Sequence, residues 1–327
     1  MNIRHRRAIH ETAANALDRA PEARRIILIY GGICCGLSLL ATIISTLLGD
    51  RISGTGGLGN IGLRSVLSTG QSVLPLVNIL ITACLSLGYH IAILSFTRGF
   101  DAHVRTLKSG FRYVGSVVRA LLTQWAVYLL LGIGALYASS YIFMSTPFAK
   151  PFIQAIEPYA ASADLTELMI DGAVAAAAMD ALIPMLLIYL AVLLVLVLPV
   201  YYRFRMVDFC LADDPQNGAL FALTKSRFLM RRNCFALFRL DLTLWWFYGA
   251  QVLISLVCYG DLLLPMLGIS FPWSDTVSYY LFFGLSLLMQ LALYWFGLNR
   301  ATAVYAVAYD ALQENLSQPN QPEQVQM

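Results

Sequence analysis

Charge is what this sequence has least of. Only 13% of its 327 residues are Asp, Glu, Lys or Arg, about half the share usual in a soluble domain, while 58% are hydrophobic and the mean hydropathy is +0.67. That excludes a soluble globule. A net charge of +3 gives no basis for a nucleic-acid partner, which needs a strongly basic surface. The chain has four histidines and six cysteines, with no HExxH, no CxxC and no Cys/His set at zinc spacing. No metal or other cofactor is therefore expected. No GxSxG frame surrounds a serine, so the chain reads as non-enzymatic.

What it has in quantity is long apolar runs. Six of them, near 26–48, 71–97, 120–143, 181–202, 242–264 and 277–298, approach the roughly 20 residues that cross a hydrocarbon core about 30 Å thick as helix. Backbone groups in lipid find no water, and no stretch alternates as barrel strands do. The expected fold class is all-α, a polytopic membrane protein of six transmembrane helices with cytoplasmic amphipathic helices. The first run exceeds the roughly 7–15 residues of a signal core and is read as retained.

Six spans place both termini on one side. All of the 22 Lys and Arg residues except Arg51, Arg64 and Lys150 fall on that side, which makes it cytoplasmic by the positive-inside rule. The acids Glu157, Asp164, Glu167, Asp171 and Asp180 lie in the long outer loop. Basic stretches precede spans one, three and five. Within a six-span domain at 1–300 this suggests three helical-hairpin units, 1–97, 98–202 and 203–300. Any six-span chain obeying the same rule has this layout, so a true repeat is left open. A cytoplasmic helical extension is expected at 301–312 and a disordered, Gln-rich tail at 313–327.

Two basic stretches carry a pattern. In "RGFDAHVRTLKSGFRYVGSVVR" the apolar Phe100, Val104, Leu107, Phe111, Val114 and Val118 alternate spacings of four and three, while Arg98, Arg105, Arg112 and Arg119 recur every seven. At 100° per residue this is one interfacial helix, apolar side down and basic side toward headgroups. In the second stretch, "DDPQ" reads as a helix start with Asp214 as cap and Pro215 in the first turn. Beyond it Ala219, Ala222, Leu223, Ser226, Leu229 and Met230 share a face. The lipid-headgroup candidates are Arg98, Arg105, Lys108, Arg112, Arg119, Lys225, Arg227, Arg231 and Arg232.

Other matches fail on context. "GTGGLG" follows a span where a dinucleotide site needs a strand, and reads as an outer turn. Asp261 and Asp310 fall on opposite sides of the membrane and cannot share a proton. The polar candidates in or beside spans are His90, Asp241 and Asp261, each expected in an interfacial or interhelical hydrogen bond; Asp241 is expected to pair with Arg239 or another nearby base. Gly32 and Gly36 form one GxxxG.

The stretch "YRFRMVDFCLADDPQNGALFALTKSRFLMRR", followed by "LFRLDLTLWWFYGAQVLISLVCYGDLLLPMLG", resembles a bacterial integral membrane family known as domain of unknown function 975. "GGLG", "RGFDAHVRTLKSGFRYVG", "FMSTPF" and "AVYAVAYDAL" match it too. Arg232 stands where the family favours a small residue, which leaves a tight turn there open. The resemblance implies a multi-pass protein of the bacterial plasma membrane, and brings no activity or catalytic residues with it.

The leading expectation is thus a membrane-organising or accessory protein whose cytoplasmic helices bind membrane lipids through anionic headgroups. The alternative is a transporter or lipid-handling protein with a pathway between hairpins lined by Asn78, Tyr89, His90, Gln124 or Gln290. Protein partners are unknown, and a homo-oligomer is left open.

Overall fold

The computed structural model describes residues 6–54, 61–157, 172–266 and 275–317. Among the described residues there is no strand. Six helical segments, Glu22–Leu48, Ser72–Thr97, Val114–Met144, Asp180–Asp213, Cys234–Cys258 and Val277–Glu314, are long and apolar enough to cross a membrane. The outer-loop acids Asp164, Glu167 and Asp171, the GTGGLG turn beyond Gly54 and the tail from 318 lie outside the described residues.

In chain order the helices are α1 (Arg6–Asp18), α2 (Glu22–Gly54), α3 (Ile61–Thr97), α4 (Ser109–Arg112), α5 (Val114–Met144), α6 (Lys150–Ile156) and α7 (Gly172–Phe204). They continue as α8 (Val207–Asp213), α9 (Gly218–Met230), α10 (Cys234–Asp241), α11 (Trp245–Cys258), α12 (Gly260–Met266), α13 (Asp275–Leu293) and α14 (Asn299–Ser317). A π turn at Tyr294–Leu298 joins the last two. The chain forms two compact units, one of residues up to Ala120 together with those from Met206 onward, the other of Leu121–Arg205.

The first unit is built around α14. Every residue from Ala301 to Tyr309 is buried, as are Ala311 and Leu312. A helix apolar on every side belongs in a core, and the alanines at 301, 303, 306, 308 and 311 let neighbours approach from all directions. Those neighbours are α1, α2, α3, α9 and the π turn. The basic stretch ahead of the first span forms the helix α1. It docks through Ile9 and Ala13, both fully buried, and full burial of one isoleucine is worth about 2 kcal/mol.

The single interfacial helix expected over 98–119 does not form. Gly99, at φ +82°, ends α3 in a Schellman arrangement, with Phe100 N–H donating to Ser95 O at 2.8 Å and Gly99 N–H to Phe96 O at 3.1 Å. The chain then makes a 3-10 turn at Val104–Lys108 and the short α4, breaks at Tyr113, and enters α5. The periodicity of four and three therefore spans a stop and a break, and its apolar members part company: Leu107 is buried, Phe100 and Phe111 are exposed. Close backbone approach fixes this segment on α3. A Cβ on Gly110 would lie 1.9 Å from Cys84 O, and one on Gly88 2.3 Å from Leu107 O.

Around the second stretch, the buried residues of α9 are Ala219, Ala222, Leu223, Ser226, Leu229 and Met230, the set that the 100° spacing gathers on one face. Its start differs from expectation. Asn217 occupies the cap position and makes no side-chain cap bond, while Asp214 sits at the C-cap just past α8 and accepts a hydrogen bond from Asn217 Nδ2. The turn containing Arg232 does form, with Asn233 N–H donating to Met230 O at 3.1 Å.

The second unit holds α6, α7 and most of α5. Phe143, Ala149 and Ala181 form a small buried cluster with Phe152, Met185 and Ile188 packed on it. "FMSTPF" sits here, Thr146 preceding a 3-10 turn at Pro147–Ala149 with proline in its first position. Elsewhere α7 is little covered: 6% of the most apolar window of the 180–213 segment is buried, and Ile183, Leu187, Leu194 and Val195 are each more than half exposed. So much exposed apolar surface requires lipid or protein against it.

Candidate functional site

The densest polar cluster gathers on Asp213, the last residue of α8. Four apolar neighbours, Phe209, Cys210, Leu211 and Ala212, are buried ahead of it and carry the carboxylate to the side of α14. Its Oδ1 accepts from Arg98 Nη1 at 2.7 Å. Its Oδ2 accepts from Lys225 Nζ at 3.0 Å, Tyr309 OH at 2.9 Å and Gln313 Nε2 at 2.9 Å. Arg98 also donates through Nη2 to Asp310 Oδ1 at 2.7 Å and through Nε at 3.2 Å. One clamp thus holds the end of α3, α8, α9 and α14.

Electrostatics favour the clamp. Burial alone works against the Arg98 charge, but hydrogen bonds and attraction from Asp310 and Asp213 outweigh it and raise its pKa above the ordinary guanidinium value. Lys225 also lies over the Tyr309 ring, 5.5 Å from its centroid. Tyr309 in turn stacks on Phe209 at 6.0 Å, and Phe209 meets His90 edge-on at 4.9 Å, so the cluster continues into α3. A cleft of about 670 Å³ opens beside it, walled by Thr12, Thr97, Arg98, Asp310 and Glu314 among others.

Asp213 meets four donors, one on Oδ1 and three on Oδ2, and so joins four segments of the chain. With two acids and two bases in contact, the clamp is close to neutral.

The clamp divides the basic candidates. Arg98 and Lys225 are inside it, with side chains 33% and 23% exposed. Arg105, Lys108, Arg112, Arg227, Arg231 and Arg232 are exposed and make no ion pair among the described residues. Arg119 is exposed as well. Large apolar side chains stand exposed beside the second group, with Phe221 at 45% and Phe228 at 61%. Past the turn, Phe235 carries the Arg239 guanidinium 4.5 Å above its ring.

Of the polar candidates near spans, His90 and Asp241 are engaged in hydrogen bonds. His90 Nδ1 lies 2.7 Å from Ser86 O, so Nδ1 carries the donated proton. Asp241 is buried and accepts from Tyr305 OH at 2.6 Å, and Tyr305 also meets Tyr248 OH. Asp261 lies in the first turn of α12, where a carboxylate complements the helix dipole. Of the pathway candidates, Tyr89 is buried, stacked on Tyr30 at 4.8 Å and bonded to Asn299 Oδ1 at 2.8 Å. Gln290 bonds Tyr294. Gln124 belongs to the second unit. Asn78 Oδ1 is buried without a hydrogen-bond partner among the described residues.

Sequence reasoning passed over Asp213, Tyr309 and Gln313. Asp213 closes an apolar helix and Asp310 lies within one, and neither has a base one turn away in sequence, so local spacing names no partner for either.

Comparison with known proteins gives one match. The model of a family described as "Protein of unknown function (DUF975)" covers residues 9–311, which includes both basic stretches and every clamp residue except Gln313. No curated protein and no solved structure matches the chain.

Proposed function

The chain belongs to the family of unknown function DUF975, and from that premise we propose that it is a non-enzymatic, membrane-organising protein of the bacterial plasma membrane. In this reading its termini and basic segments are cytoplasmic, and the exposed basic residues grip anionic lipid headgroups. One observation carries the reading: the basic residues fall into two groups. Arg98 and Lys225 are spent on internal pairs, whereas Arg105, Lys108, Arg112, Arg227, Arg231 and Arg232 are exposed without an ion pair among the described residues. Exposed phenylalanines beside them suit the headgroup boundary, where an aromatic body meets lipid and a basic tip meets phosphate.

Each basic residue near an acidic leaflet is worth about 1 kcal/mol. Replacing all six by Gln is expected to strip acidic lipid from the protein in mild detergent, read by native mass spectrometry. Retention equal to that of the unaltered chain contradicts the reading.

A second reading, transport or lipid handling along a pathway between hairpins, draws on Asn78. A buried amide oxygen without a partner costs about 1–3 kcal/mol, a cost that a passing polar substrate would offset. Flux into sealed proteoliposomes that is abolished by Asn78→Leu supports that reading; flux unchanged by the substitution removes Asn78 from any pathway.

A further inference from the structure

The end of α9 is more basic than its own structure requires. A helix C-terminus needs donors for its last carbonyls, and here the chain supplies them. Asn233 Nδ2 donates to Leu229 O at 2.9 Å, Cys234 Sγ to Met230 O at 3.0 Å, and Arg231 N–H to Phe228 O at 3.3 Å. The guanidinium groups of Arg227, Arg231 and Arg232 take no part. All three are exposed and unpaired among the described residues, although like charges four apart on a helix repel by about 0.2–0.5 kcal/mol.

The same exposed side of α9 carries apolar bulk. At 100° per residue Leu220 lies in line with Arg227 and Arg231, with Phe221 and Phe228 on the adjoining strip. Leu220 is 72% exposed. Large apolar groups thus run along the helix and end at three arginines. A soluble phosphate compound would leave Leu220 and the two phenylalanines uncovered, whereas a lipid covers them with its chains and presents phosphate at the arginines. Each guanidinium can hold a phosphate through two parallel hydrogen bonds.

We propose that the end of α9 is a binding site for a single lipid carrying two phosphates. Two linked phosphates satisfy three guanidiniums with one association event, since the second phosphate is delivered at high effective concentration. This rests on the lipid-binding reading above and goes further in naming the headgroup.

The test is competition. The full chain in mild detergent is offered equal phosphate from a two-phosphate lipid, cardiolipin, and a one-phosphate lipid, phosphatidylglycerol, and bound lipid is counted by native mass spectrometry. The expected result is a preference for cardiolipin on the order of tenfold, lost in the R227Q/R231Q/R232Q triple variant and kept when Arg105, Lys108 and Arg112 are changed to Gln instead. An unchanged thermal unfolding midpoint shows that the triple variant is folded. A triple variant that unfolds early is replaced by the three single Gln variants, each expected to weaken the preference. Equal retention of both lipids, reduced by either set of substitutions, overturns the two-phosphate site and leaves the general lipid reading standing. A cardiolipin preference that survives loss of the three arginines overturns the site too. Retention untouched by both sets overturns site and reading together.

Discussion

Arg98 and Arg105 stand seven residues apart in one arithmetic stripe, yet one is held in an ion-pair clamp and the other stands unpaired on the surface. The difference is Gly99. By ending α3 it leaves the Arg98 side chain on the last turn of a long helix, directed at Asp213 and Asp310, while Arg105 belongs to a separate 3-10 turn beyond. Helical-wheel reasoning holds only within an unbroken helix. Within the unbroken α9 that reasoning does hold: Lys225 and Arg227, two positions and about 200° apart, are a paired charge and a free one. Basic side chains thus join helices in one place and stand exposed without an ion pair among the described residues in the other.

The largest test of that contrast is Asp213→Ala. It leaves Arg98 and Lys225 without their shared partner, and the loss of charged hydrogen bonds worth about 1.5–3 kcal/mol each sets the expected cost at about 3 kcal/mol. A clear fall in thermal midpoint in detergent is expected, and it should exceed that of any exposed basic variant. Arg98→Gln comes next, at about 2 kcal/mol, because each charged hydrogen bond is worth about 1.5–3 kcal/mol and Gln retains part of the geometry. Acidic-lipid retention should hardly change. Gly110→Ala forces the 104–112 segment off α3, where Cys84 O would lie 1.9 Å from the added Cβ. Its expected signature is protease sensitivity near Arg105, with a smaller midpoint shift. Arg112→Gln should move stability by less than about 0.5 kcal/mol, as surface changes do.

A pH dependence sharpens the contrast from the α1 side. His10 Nε2 lies 2.7 Å from Thr243 Oγ1, whose own proton goes to Leu240 O, so the imidazole is the donor. Burial, and then the positive charge of Arg300, lower the His10 pKa. The unfolded chain therefore binds this proton first as pH falls. The contribution of His10 is complete above its ordinary pKa of about 6.5 and declines below it. A small loss of midpoint between neutral pH and about pH 5.5 is expected, reduced in His10→Gln. The clamp's Arg98 keeps its charge throughout that range.

The six membrane-length helices were legible because length and hydropathy suffice for them, and the α9 face because no break interrupts it. Two apolar helices show where such reading stops. Sequence marks both α7 and the first part of α14 as apolar on every side, yet α14 is buried all round and much of α7 is bare. Residue size separates them: α14 interleaves alanines with tyrosines, whereas α7 presents Leu182, Ile183, Leu186, Leu187 and Leu190, all exposed. The clamp was illegible for another reason. Arg98, Asp213, Lys225 and Asp310 are joined only when α3, α8, α9 and α14 meet, and no local spacing encodes a meeting of distant segments.

The most direct measurement places two variants beside the unaltered chain, each assayed for acidic-lipid retention by native mass spectrometry and for thermal midpoint. In the first, Arg105, Lys108, Arg112, Arg227, Arg231 and Arg232 become Gln; in the second, only Arg98 does. The account predicts that the first loses lipid at an unchanged midpoint and that the second loses stability with its lipid retained. It is contradicted if the exposed set can be removed without loss of lipid, or if Arg98→Gln alone strips the lipid while the fold stands.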